Sequence, residues 1–236
     1  MKITVIIGTE VKGVTYNMKE HFLHTLRPGN EVTEFVLPRD MPYFCCGCKT
    51  CFTKSERHCP HASSVIPIWN AMIETDLLVF AAPVYVMRTP GQMKALLDHF
   101  GCHRMVHRLE AAMFTKRAVI ITNSIGAPNT AAQKDIATSL TWLGVSHIRT
   151  FGVGLMEGVI WDELSDTRRE NIKRRLTRLA GKCARPVTVR KNMQVRLFWS
   201  MTKAMHKGLL KKEEGISADN QHWIDNGWIA PPGDSI

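Results

Sequence analysis

The chain has 236 residues, 44% of them hydrophobic, which suits one α/β domain with an extension or two small domains. No run of about 18 uninterrupted apolar residues occurs, which excludes a transmembrane helix. Met1-Lys2 leads straight into an apolar strand without a signal-peptide segment, so a cytoplasmic location is expected, with the seven cysteines as reduced thiols or ligands. The net charge of +10 is uneven: residues 167–212 hold fifteen Lys/Arg against one acid, Glu170. Such a segment suits an anionic membrane, a nucleic acid or an acidic partner. Solvated helix faces are the simpler account, and no nucleic-acid partner is expected.

The first element is a β-branched apolar run at residues 3–7, read as a buried parallel strand. It stops at Gly8. Thr9, Gly13 and Thr15 follow in a small-residue turn, and a helical pattern runs from Thr15 to about Leu26. Such a turn is an anion site, because free backbone N–H groups and the helix dipole point into it. Thr9 and Thr15 add hydroxyl donors. A phosphate group at the end of the first strand is the first functional expectation, with an ordinary βα turn as the plain alternative. The turn lacks the Gly-Lys-Ser/Thr ending of a P-loop. Gly8 to Gly13 does not spell G-x-G-x-x-G, and no acid ends the second strand as a Rossmann site requires.

Residues 31–37 read as the second strand and 38–61 as a cysteine-rich loop. A helix capped by Ser63 or Ser64 runs to about Glu74. Residues 77–82 are an apolar strand ending at Pro83, and after a loop a helix runs from Gln92 to about Gly101. Residues 117–122 form the next strand, ended by Asn123-Ser124-Ile125-Gly126-Ala127-Pro128. A helix from about Asn129 to Leu143 is closed by Gly144. Residues 147–153 are the fifth strand, and Ser165 caps a helix from Asp166 to about Lys182.

Five β–α units in a row demand a parallel sheet with helices on both faces. With the site after strand one, a flavodoxin-like three-layer sandwich with strand order 2-1-3-4-5 fits, and such a turn is what that fold uses for the phosphate of FMN. Three loops then converge beyond the carboxyl ends of the strands: residues 8–17, 83–90 and 123–129. The main domain is expected over residues 1–184. Arg185-Pro186 breaks the helix, and residues 185–236 read as a basic C-terminal helical extension. Residues 194–210 place Val195, Phe198, Met201, Thr202, Met205 and Leu209 at helical spacing. The tail carries Trp223 and Trp228. The extension is expected to pack on the main domain or on a second subunit. Its exposed apolar side chains would promote aggregation if uncovered.

The second loop, Pro83-Val84-Tyr85-Val86, puts backbone N–H groups and an aromatic ring beside a ligand, as a flavin needs. Two prolines stiffening the loop would look the same. With Gly8-Thr9, Gly13-x-Thr15, Cys46-Gly47-Cys48-Lys49-Thr50-Cys51-Phe52, Pro83-Val84-Tyr85 and Met93-Lys94 leading to Asp98, the chain resembles the NADPH-dependent FMN reductase family over residues 1–150. The resemblance implies non-covalent FMN, NAD(P)H as co-substrate, and a small-molecule quinone, azo, nitro or metal-ion acceptor. It also implies a homodimer, in which residues 194–228 would form the interface with Trp223 or Trp228 near the partner's site. The rival role of the extension is peripheral membrane contact through Lys203, Lys207, Lys211 and Lys212. The candidate cofactor residues are Gly8, Thr9, Gly13, Val14, Thr15, Tyr16 and Asn17; Pro83, Val84, Tyr85 and Val86; and Asn123, Ser124 and Gly126. No catalytic acid–base pair stands out. Ser124-Ile125-Gly126 replaces the family's Gly-Gly pair, and Asp98-His99 its Asp-Arg.

Cys45, Cys48, Cys51 and Cys59 stand with two, two and seven residues between them. The set resembles the cysteines that hold a 4Fe–4S cluster in iron–sulfur flavoproteins, and four thiolates would equally suit zinc. Thiols that pack the loop or line the site are the third account, and no metal ligand is assigned. An electron-transfer iron–sulfur flavoprotein or a cysteine-based redox sensor is the alternative function. Cys102 and Cys183 read as buried apolar residues. His99, His103 and His107 recur every fourth residue, but Gly101 weakens a helix there and no acidic ligand is paired with them. Arg104 or Arg108 is a candidate for a phosphate of NADPH or of a partner's FMN.

Overall fold

The apolar runs become five strands in a computed structural model, which describes residues 1–156, 160–212 and 216–232. They are β1 (Lys2–Ile7), β2 (Glu31–Val36), β3 (Leu77–Pro83), β4 (Arg117–Ser124) and β5 (His147–Gly154). All pair in parallel, in the order β2-β1-β3-β4-β5. Central β1, β3 and β4 are buried along almost their whole length, while β2 and β5 at the edges are not. That is why the central strands read as unbroken apolar runs.

The helices are α1 (Val14–His24), α2 (Thr50–Thr53), α3 (Ala62–Glu74), α4 (Gly91–His99), α5 (Thr130–Trp142), α6 (Asp166–Ala184), α7 (Met193–Leu210) and α8 (Ala218–Asp225). Strand side chains alternate between faces. Val5, Ile7, Val79 and Ile121 meet Met18 and Phe22 of α1 and Ile172 and Leu176 of α6. Ile6, Leu78, Phe80 and Ile120 meet Trp69 of α3, Leu96 of α4 and Leu140 of α5. Each such side chain contributes about 1.5–3 kcal/mol on burial. The three-layer flavodoxin-like sandwich is therefore the fold. Lys19 of α1 is buried, its Nζ 2.5 Å from Glu34 Oε2 of β2 and also bonded to Glu20. Its charge is tolerated because it is paired.

Several helix ends differ from the sequence expectation. Helix α3 starts at Ala62, and neither it nor α6 has a side-chain cap, although Ser165 sits at the N-cap of α6. Helix α4 stops at His99 and continues as a 3-10 turn over Phe100–His103, around Gly101. Helices α2 and α8 were not expected. Ser217 Oγ accepts from Asn220 N at 3.2 Å and starts α8, as Asn192 Oδ1 accepts from Val195 N at 2.8 Å and starts α7.

The extension folds back on its own chain. Val195 of α7 joins Met105, Leu109 and Phe114 in a third apolar cluster. Phe198 stacks on Trp142, with ring centroids 4.3 Å apart. Trp223 is fully buried, stacks on Trp199 at 4.8 Å and donates from Nε1 to the His107 carbonyl at 2.8 Å. Of the two tail tryptophans, Trp223 fills an internal site and has no surface to present, which leaves half-buried Trp228 and the outer face of α7 for any partner. Helix α7 is apolar on two sides. Val195 and Thr202 point inward, while Met193, Leu197, Met201, Met205 and Leu209 form an outer stripe of every fourth residue, from 85% to 36% exposed. Among the described residues, no helix is long and apolar enough to cross a membrane.

Candidate functional site

A cavity of about 530 Å³ opens beyond the carboxyl ends of β1, β3 and β4. The first loop contributes Thr9, Val11, Lys12, Gly13, Val14, Thr15 and Asn17, the second Pro83 and Tyr85, and the third Asn123. The loop after β5 adds Ile160, Trp161 and Asp162. The three expected loops do converge. The fourth was missed, although the rule that ligands bind beyond the carboxyl ends of strands applies to β5 as well.

Asn123 joins the loops. Its side-chain Oδ1 accepts a hydrogen bond from Thr15 Oγ1, and both residues are buried. Its carbonyl accepts from Val84 N at 2.8 Å. Gly13 stands at the N-cap of α1 and no side chain caps the helix, so the first-turn N–H groups remain available at the cavity wall. Asn17 folds its amide back on the Gly13 carbonyl at 3.0 Å, and Thr9 Oγ1 accepts from Val11 N at 3.1 Å. These short-range bonds fix the shape of the turn.

Six candidates lie off the cavity wall. Gly8 packs beneath it: its carbonyl accepts from Gln92 Nε2 at 2.8 Å, and a Cβ there would stand 3.2 Å from Ala82 Cβ. The Tyr16 ring lies under Lys19 Nζ, 4.4 Å from its centroid. Ser124 is buried, its hydroxyl donating to the Ala127 carbonyl. Gly126 takes a left-handed conformation, φ 69°, that suits glycine. Val84 and Val86 belong to a tight turn. Tyr85 and Arg88 exchange two 3.0 Å backbone bonds around Val86 and Met87, at φ 47° and 66°. Positive φ is strained for a β-branched residue, and the Val86 side chain is 95% exposed. The N–H groups of Val84 and Tyr85 are therefore already bonded, so the loop offers the Tyr85 ring rather than these donors.

The Arg88 guanidinium grips Asp135 of α5, with Nε 2.9 Å from Oδ2, and Thr89 N donates to the same carboxylate at 3.2 Å. Desolvation alone would raise the Asp135 pKa, but Arg88 and Thr89 outweigh it and hold the carboxyl below its ordinary range. The strained turn is thus anchored to a helix.

A second cavity lies within the cysteine-rich segment. Cys45, Cys46, Cys48, Cys51, Cys59 and Cys102 line it, with His61, His99, His103 and Trp69. Bonds to the Thr50 side chain and backbone hold the Cys48 thiol below its ordinary pKa, whereas burial raises Cys51 and pushes Cys102 up to about 12. Cys102 and Cys183 are buried, as expected. His99, His103 and His107 do not share one helix face. His103 stacks on Trp69 at 4.0 Å, and His107 Nδ1 is 2.6 Å from Asp219 of α8. Arg104 lies over the Trp142 ring, and Arg108 holds Asp219 at 2.6 Å and the Cys51 carbonyl. Both expected phosphate ligands therefore have partners within the chain.

The parallel sheet in the order β2-β1-β3-β4-β5, with a cavity at the carboxyl ends of its strands, defines a flavodoxin-like fold. The profile of the NADPH-dependent FMN reductase family matches residues 1–158, and the chain belongs to that family. It is 26% identical over 168 residues to an iron–sulfur flavoprotein of Archaeoglobus fulgidus, covering 69% of this chain and 73% of that one. It is 28% identical over 99 residues to an iron–sulfur flavoprotein of Methanocaldococcus jannaschii, covering 42% of this chain and half of the relative. Among solved structures, an FMN-dependent NADH-azoreductase of Bacillus anthracis in complex with FMN superposes with a TM-score of 0.60 at 12% identity, covering 78% of this chain and 100% of that one. An NAD(P)H:quinone oxidoreductase of Methanothermobacter marburgensis gives 0.59 at 16% identity, covering 79% and 98%. At these identities the likeness is one of fold.

Proposed function

We propose that the chain is an FMN-dependent NAD(P)H oxidoreductase that passes hydride from NAD(P)H to the flavin and electrons on to a quinone, azo, nitro or metal-ion acceptor. The observation that carries this is the uncapped N-terminus of α1 on the cavity wall. There backbone N–H groups, the helix dipole and the Lys12 charge favour a phosphate. Thr9 through its hydroxyl proton and Thr15 through its backbone N–H would hold the phosphate, the Thr15 hydroxyl proton being used on Asn123 Oδ1, and Asn123 would meet polar ring atoms. Tyr85 and Trp161 supply apolar walls that exclude water. No side chain is placed as an acid or base; the protein's part is binding and orientation.

The test compares FMN with riboflavin. One charge-assisted hydrogen bond contributes about 1.5–3 kcal/mol, and each ~1.4 kcal/mol is tenfold in affinity. FMN should bind at least about tenfold tighter, and NADPH or NADH should bleach it. Equal affinities for the two flavins would remove the phosphate from this turn.

The cysteine cavity supports a second reading, an electron-transfer iron–sulfur flavoprotein. Cys45, Cys48, Cys51 and Cys59 all face it, and four thiols are the donor set that a 4Fe–4S cluster takes. Such a cluster would supply one-electron transfer. Iron and acid-labile sulfide in near-equal amounts in anaerobic protein would favour this reading.

The outer stripe of α7 is the surface on which a second copy or an anionic membrane would act. Truncation would strip the third apolar cluster, so point changes are the better probe. Leu197→Glu with Met201→Glu should convert a dimer to a monomer of unchanged fold. Loss of vesicle binding with no change in oligomeric state would favour the membrane.

A further inference from the structure

Cys59, His61 and His99 take no part in the flavin cavity. One ligand atom from each lies within 4.8 Å of the other two, and no other such trio of His, Cys, Asp or Glu occurs among the described residues. Cys59 and His61 immediately precede α3, and His99 closes α4. The fold brings two distant stretches of chain together here.

The local bonding prepares His99 as a ligand. Its Nδ1 lies 2.7 Å from the Ala95 carbonyl, which can only accept, so Nδ1 carries the proton and Nε2 presents a lone pair. A ligating histidine usually has this kind of outer-sphere support. Nε2 lies 3.0 Å from His61 Nδ1. Two nitrogens bound tetrahedrally to zinc stand about 3.3 Å apart, so a small opening admits the ion. The Tyr43 ring stacks on His61 with centroids 4.6 Å apart, and fixes its plane. His99 is buried, while Cys59 and His61 are half-buried at the mouth.

We propose that Cys59, His61 and His99 are the three protein ligands of a zinc ion, with a fourth position open toward the cysteine-lined cavity. One thiolate and two imidazoles suit a borderline cation rather than magnesium or calcium. Binding replaces the His61–His99 hydrogen bond with two metal–nitrogen bonds. The Cys59 thiol loses its proton to solvent, and His61 moves its own from Nδ1 to Nε2. The ion fastens the cysteine-rich loop to α4. This assignment stands independently of the flavin, and it competes with the four-cysteine set for Cys59.

Full-length protein, reduced and stripped with chelator, is titrated with zinc and, as a spectroscopic probe, with Co²⁺. One equivalent of Co²⁺ should give a thiolate charge-transfer band and d–d bands of tetrahedral intensity. Cys59→Ser should abolish the charge-transfer band. His99→Gln and the more accessible His61→Asn should each weaken binding by at least about 100-fold, beyond the 10–100-fold typical of a lost outer-sphere partner. Cys45→Ser and Cys48→Ser should leave the Co²⁺ spectrum unchanged. Circular dichroism of each variant separates ligand loss from misfolding, and FMN binding, measured in parallel, keeps failure of this site distinct from failure of the flavin assignment. A Co²⁺ spectrum that survives in His61→Asn but is lost in Cys48→Ser would overturn the proposal in favour of the cysteine set. Absence of stoichiometric binding would overturn it outright.

Discussion

Trp223→Ala tests whether the extension is part of the folded unit. The indole is fully buried, stacked on Trp199 and tilted against His206, and it donates to the His107 carbonyl at 2.8 Å. Removing a buried tryptophan costs about 3–5 kcal/mol, and leaving the His107 carbonyl unpaired adds about 1–3 kcal/mol. The sum is roughly 4–8 kcal/mol. For a chain of this size each kcal/mol shifts Tm by about 2–4 °C, so a fall of roughly 8–32 °C is expected by far-ultraviolet circular dichroism. Trp223→Phe keeps an aromatic ring but loses the N–H donor, and should fall by less than half as much. Trp223 is not on the wall of the larger cavity, so FMN affinity measured well below the transition should be unchanged. A Tm within about 3 °C of the parent would refute the packing of α7 and α8 described above.

Three other outcomes follow from single contacts. Thr15→Val removes the donor to the buried Asn123 Oδ1; it should cost about 1–3 kcal/mol in denaturant unfolding and weaken FMN binding in a fluorescence titration. Gly152→Ala puts a Cβ 2.7 Å from Gln133 Nε2, the group that bonds Thr122 Oγ1, so it should lower Tm by several degrees, about 1–3 kcal/mol. Burial lowers the His103 pKa to about 4 from its ordinary 6.5. The unfolded chain therefore takes up this proton first. The contribution is complete above pH 6.5 and is lost as pH falls toward 4, in total about 3 kcal/mol at ~1.4 kcal/mol per unit. Urea unfolding across that range should show it, and His103→Asn should remove about one proton from the slope.

The sheet was legible in the sequence because β1, β3 and β4 are covered on both faces and so read as apolar runs. The first turn was legible because small residues between a strand and a helix have few other uses. Helix α8 was not. Residues 218–225 show no apolar period, and the helix exists because Ser217 caps it and Trp223 finds a slot under Trp199. The two-sided character of α7 also escaped, since Val195 and Met201 differ in environment rather than in kind. The donors of Val84 and Tyr85 were misjudged because their bonds go to Asn123 and Arg88, and the strained turn between them carries no glycine. Cys59, His61 and His99 could not be grouped by spacing, since the fold alone brings α4 to the end of the cysteine loop.

The six tryptophans are sorted by location in a way that makes the protein its own optical instrument. Trp161 stands on the wall of the larger cavity, where a bound isoalloxazine would quench its emission by energy transfer. Trp199, Trp223 and Trp228 lie within 4.8–5.1 Å of one another, close enough for excitonic coupling that a near-ultraviolet dichroism spectrum records. Trp69 lines the cysteine cavity beside His103, where its fluorescence would respond to an ion in that cavity. Ligand uptake would thus be read in tryptophan emission and docking of the extension in near-ultraviolet dichroism, with Trp161→Phe and Trp69→Phe assigning the emission changes to one cavity or the other.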